Sequence, residues 1–231
     1  MADLIGDKSD AAVNFDYDQI ADGFGLETYY LSARIEASGS GTETTTYHLT
    51  KDPTIASDAI DLLITSAGAL GSCSGAISAY TQLTQTTFTS PTLRLPKVIN
   101  GTAIIDFTYT FREDSATPAT FYPSVAIYHY DGSTETQLGS TWYGRSTTSS
   151  SNSEIPKRAV AHMALGRKKF RKGDAIRVKI GGAICGGGGT FDRASFGIDP
   201  LNRDGTSINP STDDPVSTTI FKVRLPFEVS T

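Results

Sequence analysis

Strict alternation of apolar and polar positions is the dominant pattern in this chain. It is clearest after a Gly173-Asp174 turn, where apolar and charged residues alternate in the order Ile176, Arg177, Val178, Lys179 and Ile180. Successive side chains of a β-strand point to opposite faces of the sheet. The pattern therefore predicts a half-buried strand with one face on a core and the other in water.

The same alternation recurs from about residue 82 onward. Its cleanest instance places five apolar residues on one face of residues 102–111, namely Ala103, Ile105, Phe107, Tyr109 and Phe111. Residues 218–229 repeat it, and Pro226 within that run predicts an edge strand or a bulge. Roughly eight strands in about 145 residues, with no helix between them, are typical of an antiparallel sandwich or jelly roll.

The first third of the chain has a different pattern. Residues 28–35 and 44–50 read as two strands of a hairpin. Asp52-Pro53 opens a predicted short helix, because Asp can cap a helix and Pro fits its first position, and Gly68 or Gly71 would end it. Residues 1–27 contain scattered apolar residues without a period, so they predict an extended arm lying on its own domain or on a neighbour.

These patterns together predict an all-β fold with three parts. Residues 82–231 are expected to form an antiparallel jelly-roll-like β-sandwich. Residues 28–81 form a small hairpin with a short helix, and residues 1–27 form the N-terminal arm. Within the arm, Phe15, Tyr17 and Phe24 are the aromatic candidates for contact with a partner.

Charge and cysteine content narrow the class of protein. The formal net charge is −5 with a pI near 5.2, which argues against nucleic acid as the main partner. Cys73 and Cys185 could pair, but two thiols do not make a disulfide framework, so we expect both to be reduced. The chain shows neither a signal-peptide pattern nor an apolar run of membrane-spanning length, and we expect it to be made in the cytosol and to bind no membrane.

Three glycine- or aspartate-rich segments invite a chemical interpretation. Residues 71–75, Gly-Ser-Cys-Ser-Gly, outline a nucleophile elbow, but that device needs a strand-turn-helix on a parallel sheet, so a flexible turn is favoured. Residues 181–189 are glycine-rich without the Gly-Lys-Ser/Thr ending of a phosphate loop. Residues 199–214 offer oxygen ligands for calcium without the spacing of the twelve-residue calcium loop, and a turn-rich loop is favoured.

A basic run gathers five of the chain's twenty cations into six residues, namely Arg167, Lys168, Lys169, Arg171 and Lys172. The favoured interpretation is a solvated connection whose charges guard a sheet edge. Contact with an acidic protein partner ranks second, and nucleic acid ranks last because stacking aromatics are nearly absent. The three histidines, His48, His129 and His162, fall in separate strands and have no ligand spacing.

Residues 88–93 (Phe-Thr-Ser-Pro-Thr-Leu), 127–132 (Ile-Tyr-His-Tyr-Asp-Gly) and 170–180 resemble the jelly-roll capsid decoration, or cement, proteins of tailed bacteriophages. The resemblance covers residues 82–229 and lies in style and strand order. It implies a virion protein on the capsid surface that binds the major capsid protein, often as a trimer, and stabilises the head. It implies no catalytic residues, no cofactor and no enzymatic activity.

Two other classes of function stay open. One is a receptor- or carbohydrate-binding jelly roll of a phage tail or collar, for which Trp142 and Tyr143 are the candidate aromatic platform. The other is an enzyme on a jelly-roll scaffold, which would require clustered histidines or facing carboxylates. Since the sequence offers no nucleophile, metal or phosphate signature, we expect a structural protein and not an enzyme.

Overall fold

The computed structural model describes residues 24–37, 46–54, 61–66, 70–83, 85–113, 117–149, 154–186, 192–198 and 221–228. Apart from one 3-10 turn at Ile77–Ala79, regular structure in these ranges is extended. No helix in them is long and apolar enough to cross a membrane. The strands are β1 (Phe24–Ala37), β2 (Thr46–Thr50), β3 (Asp61–Ser66), β4 (Thr81–Gln82), β5 (Thr86–Thr89), β6 (Lys97–Glu113), β7 (Ala119–Tyr130), β8 (Glu135–Gln137), β9 (Trp142–Tyr143), β10 (Thr147–Ser149), β11 (Glu154–Phe170), β12 (Ala175–Gly186), β13 (Asp192–Gly197) and β14 (Phe221–Glu228).

The fourteen strands of the described residues form one hydrogen-bonded sheet. Its order is β10-β7-β12-β5-β2-β1-β14-β6-β13-β3, with β11 added to β6, β4 to β12, and β8 and β9 to β7. The pairing of β2 with β5 is parallel, and the other pairings are antiparallel. The longest pair joins β6 and β11, each of 17 residues.

The sheet curls until its two ends face each other. Five strands separate β7 from β6 along the sheet, yet the Phe111 ring of β6 stacks on the Phe121 ring of β7 with centroids 5.2 Å apart. Tyr109 of β6 also lies within hydrogen-bond distance of Thr147 of β10, 3.0 Å between hydroxyl oxygens. Two walls thus enclose one core, and the prediction of an all-β, jelly-roll-like sandwich is confirmed.

Aromatic side chains fill the space between the walls. Phe107 stacks on Phe221 at 4.8 Å and meets Phe196 and the edge of Trp142 at 5.9 Å. Burial of each such ring stabilises the fold by about 1.5–3 kcal/mol. The predicted inward faces of β6 and β12 are buried as expected, at 0–3% exposure for the ten-residue pattern of β6 and 0% for the apolar residues of β12.

Pro226 marks a bulge in an interior strand. β14 lies between β1 and β6, and its register with β6 shifts between Arg224 and Phe227. Since proline has no N–H to donate, it is placed where the ladder is interrupted. Of the two predicted alternatives, the bulge is therefore correct and the edge strand is not.

The predicted helix after Asp52 is wrong in its second half. Asp52 accepts hydrogen bonds from the backbone N–H (2.8 Å) and hydroxyl (2.6 Å) of Thr54, so it caps a turn. Residues 55–60 lie outside the described ranges, but Asp61–Ser66 forms β3 and pairs with β13. A short apolar run is compatible with the period of a helix and with that of a strand. This run forms a strand because it pairs with the edge of β13 that β6 does not occupy.

The predicted hairpin at 28–50 is present as the antiparallel pair β1 and β2. The predicted arm ends earlier than expected, because residues 24–27 already belong to β1, and Phe24 pairs with Glu228 of β14. Residues 1–23, including Phe15 and Tyr17, lie outside the described ranges.

The expectation of two reduced thiols is wrong, because Cys73 and Cys185 form a disulfide. The backbone N–H of Gly186 donates to the carbonyl of Gly71 at 2.8 Å, which brings the two segments together. The cysteines are 112 residues apart, so no local spacing indicates their pairing. In the loop-entropy account, closing a loop of this length stabilises the fold by about 4–5 kcal/mol.

Candidate functional site

The five cations of residues 167–172 form a cationic cluster at the end of β11. We use this name for Arg167, Lys168, Lys169, Arg171 and Lys172. The register of β11 with β6 shifts between Leu165 and Lys168, and such a bulge re-aims the side chains that follow it. Phe170 is fully buried and fixes the cluster to the core, while Lys169, Arg171 and Lys172 are exposed.

One cation of the cluster is neutralised by its own chain. Arg167 donates two hydrogen bonds to Glu228, from Nε to Oε1 at 2.8 Å and from Nη2 to Oε2 at 2.9 Å. These bonds lower the pKa of the Glu228 carboxyl. Among the described residues, the other four cations form no ion pair within the chain. The cluster therefore presents four cations that have no ion-pair partner among the described residues, beside the ionised carboxylates of Asp131 and Asp174.

Asp174 anchors the turn that carries Arg171 and Lys172. Its Oδ2 accepts the Arg171 backbone N–H at 2.7 Å and lies 2.6 Å from Nε2 of His129. Burial opposes ionisation of Asp174, but the hydrogen bonds from His129 and from the Arg171 backbone outweigh it and lower the pKa. The edge of His129 packs on Phe170 at 4.6 Å. The buried pair thus holds the turn in place.

A polar cleft of about 420 Å³ lies beside the cluster. Its lining includes His129, Asp131, Lys168, Lys169, Arg171 and Asp174. Asp131 accepts hydrogen bonds from the backbone N–H groups of Thr134 (2.7 Å) and Ser133 (2.9 Å), and these bonds lower its pKa to about 2. Because both carboxylates are committed within the chain, the cleft offers mainly ammonium and guanidinium donors. Such donors bind carboxylates through charge-assisted hydrogen bonds.

The His129–Asp174 pair was missed by the sequence analysis. The Gly173-Asp174 turn was predicted, and Gly173 has the positive φ of +95° that such a turn favours. The partner of Asp174, however, lies 45 residues away on β7, and only the pairing of β7 with β12 brings the two together. The alternating pattern shows which face a residue takes, and it does not show its neighbour.

A second surface feature is an apolar groove of about 450 Å³ at one end of the sandwich. Residues that line it include Tyr29, Lys51, Pro91, Leu93, Leu95 and Lys97. Leu95 is 70% exposed, and it and Val160 are the large exposed apolar side chains of the described residues. Sequence reasoning missed this groove, because residues 91–97 show no alternation that would distinguish them from an ordinary connection.

Cations surround the groove and are partly neutralised from behind. Glu27 accepts hydrogen bonds from Lys51 and Lys97. Burial opposes ionisation of Glu27, but these two hydrogen bonds outweigh it and lower its pKa. Arg94 also lines the groove, and no ion pair of its side chain is found among the described residues. The lining therefore combines apolar side chains with charges of both signs, because the Asp52 carboxylate also lines the groove.

The remaining candidates lie apart from these two surfaces. Cys73 of the elbow-like segment is bound to Cys185, so neither sulfur is a thiolate in this structure. Residues 181–186 of the glycine-rich segment continue β12, whereas residues 187–191 and 199–214 lie outside the described ranges. No group of three or more metal-ligating side chains occurs in the described parts of the chain.

The proposed aromatic platform is only partly available. Trp142 is half-buried with its ring edge-on to Phe107 of the core, and Tyr143 donates its hydroxyl to Gln82. A polar cleft of about 480 Å³ adjoins Trp142 and is also lined by Arg145 and Lys157. The arrangement offers one half-buried aromatic ring with flanking cations.

No protein-family model and no curated protein matches the chain. Among solved structures, a CocE/NonD family hydrolase from Staphylococcus aureus matches with 10% identity and a TM-score of 0.44, covering 89% of this chain and 37% of the hydrolase. An alpha-amino acid ester hydrolase matches with 12% identity and a TM-score of 0.40, covering 88% and 34%. The structure of infectious bursal disease virus, Gx strain, matches with 11% identity and a TM-score of 0.23, covering 88% and 43%.

These matches correct one expectation. The prediction that the chain is not an enzyme is contradicted, because hydrolases are among the matched structures, and we withdraw it. The chain spans little more than a third of the length of those hydrolases. At TM-scores below 0.5 and identities of 10–12%, the matches carry no argument for a reaction, a substrate or a partner.

Proposed function

We propose that the chain is a structural component of a virion, and more specifically a capsid decoration protein. In this proposal its cationic cluster binds an acidic surface of the major capsid protein lattice, and the bound subunits, assembled as a homo-oligomer with a trimer favoured, stabilise the head. The observation that carries the proposal is the set of four cations, Lys168, Lys169, Arg171 and Lys172, that have no ion pair within the described chain.

The setting of these cations supports a docking role. Lys168 and Lys169 lie in the last residues of β11 and pair with β6, and Arg171 and Lys172 lie on the turn held by the buried His129–Asp174 pair. The backbone positions of all four are therefore fixed before a partner arrives. Pre-organised charge reduces the entropy lost on binding. A surface of this kind steers an acidic partner and fixes its orientation. The proposed localisation is accordingly the outer surface of a particle assembled in the host cytoplasm.

A second candidate is a receptor- or carbohydrate-binding module of a tail or collar. The observation that favours it is the cleft beside Trp142, in which an aromatic edge lies near Arg145 and Lys157. The half-burial of Trp142 makes this the weaker candidate, since carbohydrate stacking needs an open ring face.

Co-sedimentation with purified particles tests the decoration proposal. The double variant Lys168→Glu/Lys169→Glu should bind particles about a hundredfold more weakly, because like charges would face the acidic lattice. Lys157→Glu is the matched control, since Lys157 is an exposed lysine near the other end of the same strand, and it should bind like the unaltered chain. Binding of the unaltered chain should also weaken as salt is raised.

Two results would contradict the proposal. The unaltered chain would show no saturable binding to particles, or Lys157→Glu would weaken binding as much as the double variant. Circular dichroism and urea unfolding of each variant separate a lost contact from a lost fold. If particle binding fails while a glycan array gives a Trp142-dependent signal, the second candidate replaces the first.

A further inference from the structure

The net charge of the chain is confined to its first 23 residues. These contain six aspartates, one lysine and no glutamate, a formal charge of −5, which equals the charge of the whole chain. Residues 24–231 therefore carry equal numbers of cations and anions. We call residues 1–23 the acidic segment. Such a segment is attracted to any basic surface of its own protein, and the attraction is strongest within about one Debye length, roughly 8–10 Å.

The acidic segment also carries apolar anchors between its charges. Its sequence at residues 15–18 is Phe-Asp-Tyr-Asp, so aromatic and acidic side chains alternate. The apolar groove offers matching contacts, because Tyr29, Leu93 and Leu95 line it and Arg94 is a lining cation without an ion pair among the described residues. Its other lining charges are Asp52 and the two lysines, Lys51 and Lys97, that pair with Glu27. Its volume of about 450 Å³ lies within the range of ordinary binding pockets, about 300–1,000 Å³.

The groove and the start of β1 lie at the same end of the sheet. Gly25 pairs with Phe227, and Phe227 pairs with Ile99, so these three residues form one row across β1, β14 and β6. β6 begins at Lys97, two residues before that row, and the chain leading into it forms the groove. The acidic segment joins β1 at Phe24, one residue before the row, so it enters the sheet at the same end as β6.

With this placement, the acidic segment of one subunit can reach the apolar groove of a neighbouring subunit. When identical subunits are arranged around a rotation axis at this end, each segment faces the groove of the next subunit, and the set of contacts closes on itself. A segment of 23 residues spans up to roughly 75–80 Å when extended, which exceeds the distance between neighbouring small domains. The exposed Leu95 side chain would then be buried by aromatic side chains from the adjacent copy.

We propose that the apolar groove binds the acidic segment of a second copy of this chain, with Phe15 and Tyr17 against Leu95 and the aspartates beside them, Asp16 and Asp18, against Arg94. The inference deepens the proposed function and rests on its premise that subunits assemble with one another. It names the contact that joins them, which is separate from the cationic cluster that faces the lattice.

The mass of the full-length chain in solution, followed by light scattering across a concentration series, tests the contact. The unaltered chain should associate, and Leu95→Glu or Phe15→Ala/Tyr17→Ala should raise the dissociation constant about tenfold or more, because each removes apolar burial. Val160→Glu is the matched control, since Val160 is the other large exposed apolar residue and lies outside the groove. It should leave association unchanged.

A charge swap and a cross-link identify the occupant. Arg94→Glu should weaken association, and combining it with Asp16→Lys/Asp18→Lys should restore it, which loss of folding would not allow. A photo-reactive benzoylphenylalanine at position 15 should cross-link to residues 91–97 of another chain. The inference is overturned if the unaltered chain stays monomeric, if Val160→Glu is equally disruptive, if the swap fails to restore association, or if the cross-link stays within one chain.

Particle binding by Leu95→Glu separates this inference from the proposed function. If self-association is insensitive to Leu95 but particles are still bound through Lys168 and Lys169, the contact between copies is wrong and the decoration role stands. If self-association depends on Leu95 and no particle is bound, the contact stands and the decoration role fails.

Discussion

Two basic regions of this protein look alike in sequence and differ in structure. On β12, Arg177 and Lys179 share the carboxylate of Glu135, and their charged groups lie over the rings of Tyr130 at 3.4 Å and Tyr128 at 4.7 Å. In the cationic cluster, by contrast, one cation of five has an ion pair among the described residues, and four face solvent or a cleft. The strand places the first pair against a carboxylate two strands away, whereas the second group lies at the end of β11 and on the turn that follows it.

The difference shows how a cation can be assigned to the fold or to a partner. Arg177 and Lys179 are about four-fifths buried and are satisfied within the chain, so they contribute to stability. The four cations of the cluster have no ion pair among the described residues, so their removal should change the stability of the fold little. This distinction supports assigning the lattice contact to the cluster and not to β12.

The largest expected effect comes from the one residue of the cluster region that belongs to the fold. Asp174→Ala should lower the free energy of unfolding by about 2–4 kcal/mol, because it leaves the buried His129 and the Arg171 N–H without their acceptor. Asp131→Ala in the same cleft is the control, and since Asp131 caps an exposed turn the loss should be clearly smaller. Urea unfolding measures both. Equal losses would mean that Asp174 does not hold the turn.

A smaller loss is expected from the shared carboxylate of the other region. Glu135→Gln should lower the free energy of unfolding by about 1–2 kcal/mol, because two partly buried cations lose their charged acceptor. Glu228→Gln, which removes the partner of the exposed Arg167, should have a smaller effect, because water screens a pair whose cation stands in solvent. If both variants lower the free energy of unfolding equally, the proposed difference between the two basic regions is wrong.

Lowering the pH should reduce the stability of the fold in part through protonation of Glu135. Burial opposes ionisation of Glu135, but the hydrogen bonds from Lys179 and Arg177 outweigh it and hold its pKa below 4.5. Its stabilising contribution is therefore complete above pH 4.5 and is lost as the pH falls through the lowered pKa. Glu135→Gln should lose less stability than the unaltered chain between about pH 5 and pH 3. An identical decline in both proteins would show that Glu135 is not paired in solution.

The features of the fold that were predicted correctly are mainly those that depend on the face of a strand that each side chain occupies. The inward faces of β6 and β12 were predicted from alternation, because the pattern reports the face of a strand. The hairpin of β1 and β2 was predicted from two strand-like runs joined by a loop. The β3 strand was mistaken for a helix, since a short apolar run has no decisive period and its partner β13 is some 130 residues distant. The disulfide and the His129–Asp174 pair join positions far apart along the chain, and no spacing indicates them.

The residues of the candidate site were predicted from the sequence, but their contacts were not. The five cations of residues 167–172 were identified from their density, but that density could not show that Arg167 is neutralised by Glu228 while its neighbours are not. Leu95 was overlooked, because exposure of an apolar residue outside a strand depends on which segments pack around it. Both properties arise from the curl of the sheet, which brings strands together in an order unlike that of the sequence.

The most direct test of the account compares two double variants by two measurements. Lys168→Ala/Lys169→Ala should keep the free energy of unfolding within about 0.5 kcal/mol of the unaltered chain and lose particle binding about tenfold or more. Arg177→Ala/Lys179→Ala should lose about 1.5–3 kcal/mol of stability and, where still folded, bind particles normally. If the first pair destabilises the fold or leaves binding intact, or if the second pair abolishes binding without loss of stability, the assignment of the two basic regions is contradicted.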